Sequence, residues 1–176
     1  MTFFSRIRRR VAALDNRGAA VIEFAIVGSI FMLMVLASFE FGFMLFVQSA
    51  LDNASRDAAR LIRTGQAQSA ANAQTAFSTL LCNTVSALIG CGNLMYTSQV
   101  FNNWTSAQTS INTPIARDAS GNAILPAFSA GTQGQIVVVT VTYNYPFFTP
   151  LVGGYLGGGH NSAYLMSTVV FQNEPY

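Results

Sequence analysis

The chain has 176 residues, of which 51% are hydrophobic and 9% are charged, whereas about 25% of residues are charged in an ordinary soluble domain. All nine basic residues are arginine. This composition argues against an ordinary cytosolic enzyme, a nucleic-acid-binding protein and a disordered chain.

Positive charge is concentrated at the N-terminus. Residues 1–18 carry five arginines and one aspartate, a formal charge of +4, and the remaining residues carry four arginines and six acidic residues, a formal charge of −2. The basic excess therefore belongs to the first 18 residues and not to a binding surface on the body of the protein. We expect no nucleic-acid partner.

A long apolar segment follows. Phe24–Phe39 contains sixteen residues without a charge, and no proline lies between Ala19 and Val47. A continuous helix of these 29 residues would span about 43 Å, more than the about 30 Å of a bilayer core. We predict a transmembrane helix over residues 19–48. Because arginines flank it closely on one side only, its N-terminus is expected in the cytoplasm.

This segment predicts three regions: a basic leader over residues 1–18, the transmembrane helix over residues 19–48, and an extracytoplasmic domain over residues 49–176. Glu40 would lie about 32 Å along the helix, near the outer interface, either solvated at headgroup level or in contact with a partner helix.

Two other interpretations of the apolar segment stay open. A secretory signal peptide has an apolar core of about 7–15 residues, which is shorter than this one, although Val47-Gln48-Ser49 is an acceptable cleavage site. A plain signal anchor fits the length equally well.

The start of the apolar segment, Arg17–Phe24, places the Glu23 carboxylate just inside the predicted helix. A charged side chain at mid-bilayer costs about 2.5–3.5 kcal/mol on insertion scales, and less near the interface. A cut after Gly18 would give Ala19 a cationic amine four residues before Glu23. The amine and the carboxylate could then neutralise each other, within one helix or between staggered neighbours.

This pattern resembles type IV prepilins, which are cut after a glycine at the end of a short basic leader and carry glutamate at the fifth mature position. Glu23 followed by Phe24 resembles the Flp/Tad (tight adherence) branch. Asp57–Arg60 with Thr64-Gly65 resembles the region after the membrane helix of TadE-like proteins. Flp pilin ends soon after its helix, so a chain with more than 120 further residues is similar instead to the TadE/TadF-type pseudopilins. TadG-like proteins share a similar N-terminal region and are usually larger.

The resemblance implies a minor pilin, or pseudopilin, that a prepilin peptidase cuts between Gly18 and Ala19. Glu23 and Phe24 would neutralise the new N-terminus and guide assembly. The partners would be other pilins or pseudopilins and the Tad inner-membrane assembly platform. The protein would be a single-pass protein of the bacterial inner membrane, either staying there or becoming incorporated into the pilus. It would take part in pilus assembly or adhesion and would not be an enzyme. The alternative is an uncleaved TadG-like scaffold anchored in the envelope.

Beyond the membrane, the same helix is predicted to continue to about Thr64 and to stop at Gly65. A 4-3-4-3 spacing of apolar residues predicts one face that packs on the domain. Its members after Val47 are Leu51, Ala54, Ala58 and Leu61.

The rest of the body predicts an α+β fold that resembles type IV pilins, with a second helix and a small antiparallel sheet packed on the long helix. The second helix is expected over Ser69–Ile89, and a long loop over Pro146–His160. The predicted strands are Leu94–Phe101, Ile136–Tyr145 and Ala163–Phe171, with a fourth short strand at Ala123–Leu125. Valine and tyrosine at alternate positions of the second strand are expected on one face.

Few residues offer catalytic or metal-binding chemistry. Cys82 and Cys91 are the only cysteines, and outside the cytoplasm we expect them to form a disulfide; free thiols are the alternative. His160 is the only histidine, too few for a metal site with the two cysteines, and it is expected on a surface loop. We predict no cofactor, no metal and no catalytic residue. A hydrolase would require a nucleophile and an acid clustered around His160.

Overall fold

The computed structural model describes residues 16–113, 116, 124–157 and 161–176. The chain divides into two compact units, Met1–Phe41 and Gly42–Tyr176. The described part of the first unit is helical. The second unit contains further helices and a three-stranded antiparallel sheet, and the predicted α+β, pilin-like fold class is confirmed.

The first helix, α1, spans Asn16–Arg63 and has 48 residues. The prediction of one continuous helix over residues 19–64 is confirmed. Arg60 and Arg63 occupy the last turn, where positive charge interacts favourably with the helix dipole. Gly65 follows with a φ angle of 77°, the left-handed conformation that commonly ends a helix.

Two shorter helices follow, α2 at Gln66–Ser69 and α3 at Ala73–Val85. The prediction of a single helix over Ser69–Ile89 is therefore wrong at both ends. The Asn72 side chain accepts a hydrogen bond of 3.0 Å from the backbone N–H of Thr75. This cap starts α3 four residues later than predicted, and a turn ends it four residues earlier.

The sheet has the order β1-β2-β3, with both pairs antiparallel. Its strands are Leu94–Phe101, Ile136–Pro146 and Ser162–Gln172, so the three main predicted strands are confirmed to within one residue. The predicted fourth strand is wrong, because Ile124 and Leu125 lie in no strand; Ala123 lies outside the described residues.

Helix α1 runs along one face of this sheet. The Gln48 side chain donates a hydrogen bond to the Met166 carbonyl at 3.1 Å, and the Arg63 carbonyl accepts one from the Glu174 backbone N–H at 2.9 Å. Residues 48–63 of α1 therefore follow β3 in the same direction. The alternate residues of β2 face α1 as predicted and lie in the main core: Val137, Val139, Val141, Tyr143 and Tyr145.

The opposite face of the sheet is covered by a helix that the sequence reading missed. Helix α4 spans Trp104–Asn112, and the Asn103 side chain caps it by accepting a hydrogen bond of 2.8 Å from the Ser106 N–H. Ala107 of α4 is buried with Ile136 and Val138 in a second, smaller apolar cluster. Both faces of β2 are therefore buried.

The segment predicted as a long loop contains a helix, α5, at Pro150–Leu156. Proline at the start of a helix is favourable because its fixed φ suits the first turn and its missing N–H would be unpaired there. This corrects the prediction of a loop over Pro146–His160 as far as Leu156; residues 158–160 lie outside the described part.

Gly65 and Gly134 form a matched pair for a test of the α1 terminus, since both have a φ angle of 77°. A Cβ atom at Gly65 would lie 2.6 Å from Cδ1 of the Tyr176 ring, whereas a Cβ atom at Gly134 would meet nothing within 4 Å. We expect Gly134→Ala to lower the free energy of unfolding by about 1–2 kcal/mol through backbone strain alone. Gly65→Ala should lower it by more.

The measurement is denaturant unfolding of the full chain in detergent. In a Tyr176→Ala background, the two alanine substitutions should become equally destabilising. A difference that persists without the tyrosine ring would contradict this contact as its cause.

Candidate functional site

The α1 segment over residues 18–39 exposes apolar side chains all round. Apart from the half-buried Val35, its large hydrophobic side chains range from 42% exposed at Leu33 to 77% exposed at Phe24. A helix that is apolar on every side must be covered by lipid or protein to be stable. Among the described residues, α1 is the one helix long and apolar enough to cross a membrane.

Gly18 lies in the first turns of α1, so its peptide bond to Ala19 belongs to helical backbone. A Cβ atom at Gly18 would meet nothing within 4 Å, and its φ angle is not positive. Glycine inside a helix is about 1 kcal/mol less favourable than alanine. Nothing within the described fold therefore requires glycine at this position.

The Glu23 side chain is exposed, as are its neighbours Ala19 and Phe24. Positions 19 and 23 lie on the same helix face, about 6 Å apart along the axis. Within the part of the chain that the structure describes, no group forms a hydrogen bond or an ion pair with Glu23; the side chain of Arg17 lies outside that part. The exposed carboxylate is therefore accessible to solvent, lipid headgroups or another chain.

Glu40 has a different environment from Glu23. Its side chain is buried, with only 5% of its surface exposed. A solvated side chain, one of the two alternatives predicted for Glu40, is therefore wrong, while its position relative to the membrane stays a prediction. Of the two glutamates in the apolar part of α1, Glu23 is the one accessible to another molecule.

The predicted packing face of α1 lies in the core of the second unit. Leu51, Ala54 and Ala58 have no exposed surface, while Leu61 is partly buried and Ile62 is fully buried in its place. This offset follows from the helix period of 3.6 residues, which drifts away from a strict 3.5-residue pattern. The face is therefore occupied within this chain.

Cys82 lies in α3, and Cys91 lies in the single 3-10 turn that precedes β1. Their Cα atoms are 5.6 Å apart, and their sulfur atoms are within bonding distance. This separation is typical of a disulfide. The bond would hold the end of α3 against the start of the sheet.

The described residues form no cluster of three or more potential metal ligands. His160 lies outside them, so its expected place on a surface loop stays a prediction. A cavity of about 570 Å³ lies between α4 and the outer face of the sheet, and its walls include Thr97, Thr109 and Thr140. Among the residues that the structure describes, none that lines this cavity is titratable.

Sequence reasoning missed the helix α5, with its exposed apolar residues. The proline at its first position was visible in the sequence, but the glycines around it favoured a loop. For α4, the signal was Asn103, which the structure uses as a helix cap.

Residues 18–60 match the family model described as TadE-like protein. The resemblance to TadE-like proteins is thereby confirmed over the segment that contains Gly18, Glu23 and the packing face as far as Ala58. No curated protein and no solved structure matches the chain.

We expect the double variant Cys82→Ser/Cys91→Ser to unfold with a free energy lower by about 2–3 kcal/mol, because a bond closing so short a loop restricts the unfolded chain by roughly that amount. The measurement is the thermal unfolding of the oxidised protein before and after a reducing agent is added. Reduction should lower the melting temperature of the native sequence and leave the double variant unchanged. A native protein that does not respond to complete reduction would contradict the disulfide.

Proposed function

We propose that this protein is a minor pilin, or pseudopilin, of a Tad-type pilus, and that a prepilin peptidase processes it between Gly18 and Ala19. The observation that carries the proposal is a glycine that the fold does not require, followed five residues later by an exposed carboxylate on an apolar helix. The match of residues 18–60 to TadE-like proteins supports an association with the Tad pilus.

The proposed topology follows from charge and hydropathy. The +4 charge of residues 1–18 holds the N-terminus on the cytoplasmic side. The exposed apolar surface of α1 then lies in the inner membrane, and the second unit, with its own core, lies outside the cytoplasm. The peptidase meets Gly18 where the leader enters the bilayer.

The peptidase must open the first turns of α1 to reach the Gly18–Ala19 bond. Helix ends open locally at little cost, and glycine lowers that cost further because it is a poor helix former. Glycine also lets an enzyme approach the backbone closely, since no Cβ stands in the way. Both properties suit a protease site and neither serves the fold.

Cleavage creates a cationic amine on Ala19, one helical turn from Glu23. In the lipid environment an unpaired charge is costly, so pairing of the amine with the carboxylate lowers the cost of placing both near the bilayer. Between staggered chains, the same attraction holds the amine of one helix against Glu23 of the next. We propose that this pairing, with the exposed Phe24 beside it, guides assembly with other pilins or pseudopilins at the Tad inner-membrane platform.

The protein is in this proposal a substrate of the peptidase, and its role in the pilus is structural. The alternative function, an uncleaved TadG-like scaffold, uses the same apolar helix as a permanent anchor. The N-terminus of the protein isolated from its own membrane separates the two. Ala19 as the first residue supports processing, and Met1 in cells with active peptidase contradicts it.

Substitutions at Gly18 test the cleavage site. We expect Gly18→Arg to abolish processing, since the long charged side chain blocks the backbone, and Gly18→Ala to reduce it less. Both should fold normally, because a Cβ at this position meets nothing. The measurement is the ratio of precursor to mature protein by intact mass, with unfolding of the second unit as the control. Normal processing of Gly18→Arg would contradict the proposed site.

Substitutions at Glu23 test the pairing. We expect Glu23→Ala and Glu23→Gln to be cleaved nearly normally but to lose most incorporation into sheared pili, whereas Glu23→Asp should retain part of it. Since glutamine preserves size, its failure would assign the effect to charge. The matched control is Glu174→Ala, which removes an exposed carboxylate paired with Arg63 at 3.1 Å; a surface pair of this kind contributes about 0–1 kcal/mol. Normal incorporation of Glu23→Gln would refute the role of the carboxylate.

A further inference from the structure

The segment around α5 carries an exposed apolar patch, which we call the α5 patch. Its four members are strongly exposed: Phe148 (71%), Leu151 (51%), Tyr155 (85%) and Leu156 (55%). Leu151 and Tyr155 are four residues apart and therefore share one face of the helix. Contiguous exposed apolar surface of this kind usually marks a site of interaction.

The fold holds this patch outward. The Phe147 backbone N–H donates to the Asn161 carbonyl at 3.0 Å, and the Asn161 amide donates to the Phe147 carbonyl at 3.1 Å. Gly153 is buried, and a Cβ atom there would clash with the Asn161 side chain and lie 2.9 Å from Cβ of Phe147. With this side of α5 packed inward, the opposite side must face outward.

The patch lies beside the last apolar turns of α1. The Phe148 ring is 5.6 Å from the ring of Phe43 and 6.2 Å from that of Tyr145. Phe43 and Phe46 belong to the apolar run that ends at Val47. The patch is thus continuous with the end of the proposed membrane-spanning segment.

The composition of this region suits a bilayer. No Asp, Glu, Lys or Arg occurs between residues 119 and 173, so inserting the patch would carry no charge into lipid. Phenylalanine and tyrosine both have a large apolar surface, and tyrosine also has a polar hydroxyl at its tip. Tyrosine is enriched at the membrane–water interface. Short apolar helix faces lie about 5–10 Å into the boundary between headgroups and acyl chains.

The extent of the patch favours lipid over a protein partner. Four side chains of this size expose on the order of 400 Å², which is about half of what one partner contributes to a standard protein interface of about 800 Å². A lipid surface has no such minimum when a neighbouring helix already anchors the protein, because the second contact is then intramolecular.

We propose that the α5 patch inserts into the outer interface of the same bilayer that α1 crosses, and so gives the extracytoplasmic unit a second membrane contact. The proposal rests on the membrane-spanning role of α1. The contact fixes the orientation of this unit on the membrane before any assembly takes place.

The single tryptophan of the chain allows a direct test, because Trp104 lies in α4 at the opposite end of the sheet. Phe101, which precedes α4, pairs with Ile136, and the ten residues of strand from Ile136 to Tyr145 span about 30 Å. Trp104 is 56% exposed, so it serves as the matched control for an exposed indole that lies far from the bilayer.

Three forms of the full chain are reconstituted into phosphatidylcholine vesicles with brominated acyl chains, which quench nearby tryptophan. The native sequence reports on position 104, Tyr155→Trp/Trp104→Phe reports on the patch, and Phe31→Trp/Trp104→Phe reports on the middle of the span. Positions 155 and 31 are exposed, so these substitutions disturb no core packing.

We expect bromine to quench the indole at position 155 severalfold more than Trp104 and less than the indole at position 31, with a blue-shifted emission at position 155. Equal quenching at positions 155 and 104, with strong quenching at position 31, would overturn the inference and leave the span intact. Weak quenching at position 31 would overturn the span itself. A third outcome is a blue-shifted emission at position 155 without bromine quenching, with the blue shift disappearing when the protein is diluted in lipid. This outcome would assign the patch to contacts between copies of the chain and overturn the lipid contact.

Discussion

The structure depends on one constraint, which is that a single helix without a proline presents two different surfaces. Up to about Phe39 its side chains are exposed and apolar on every side, so they need lipid or another chain. From Val47 onward one face is buried in the core of the second unit while the other carries charged residues such as Asp52 and Arg56. The change from one surface to the other occurs within a few turns.

The second half of α1 organises the second unit around it. Small residues such as Ala54 and Ala58 let the sheet approach closely, and the valines of β2 fill the space between them. The helix follows β3 from Gln48 to Arg63, while the strand connections place α4 after the Phe101 end of β1 and α5 after the Pro146 end of β2. The Phe148 ring beside α5 thereby comes to lie 5.6 Å from the Phe43 ring of α1.

Function in this protein is proposed for residues that the core does not use. Gly18, Ala19 and Glu23 lie on an exposed helix with no tertiary reason for their identity. Their chemistry makes sense through other molecules, namely a protease that needs a bare backbone and a chain that offers an opposite charge. The TadE-like match over residues 18–60 covers this segment and stops before the sheet, which begins at Leu94.

Local physics is sufficient for the elements that the sequence predicted correctly. The apolar run of α1 and the alternating valines of β2 are periodic patterns that hold in any tertiary context. The sequence also determined the charge asymmetry and the Gly18–Glu23 spacing, on which the proposed function rests.

Only the tertiary structure decided the rest, because those features depend on what packs where. The outer face of the sheet is polar enough to suggest solvent, yet α4 covers it. The glycines after Pro150 suggest a loop, yet Gly153 is needed for α5 to approach Asn161. The burial of Glu40 and the exposure of Tyr155 are likewise properties that no local sequence pattern records.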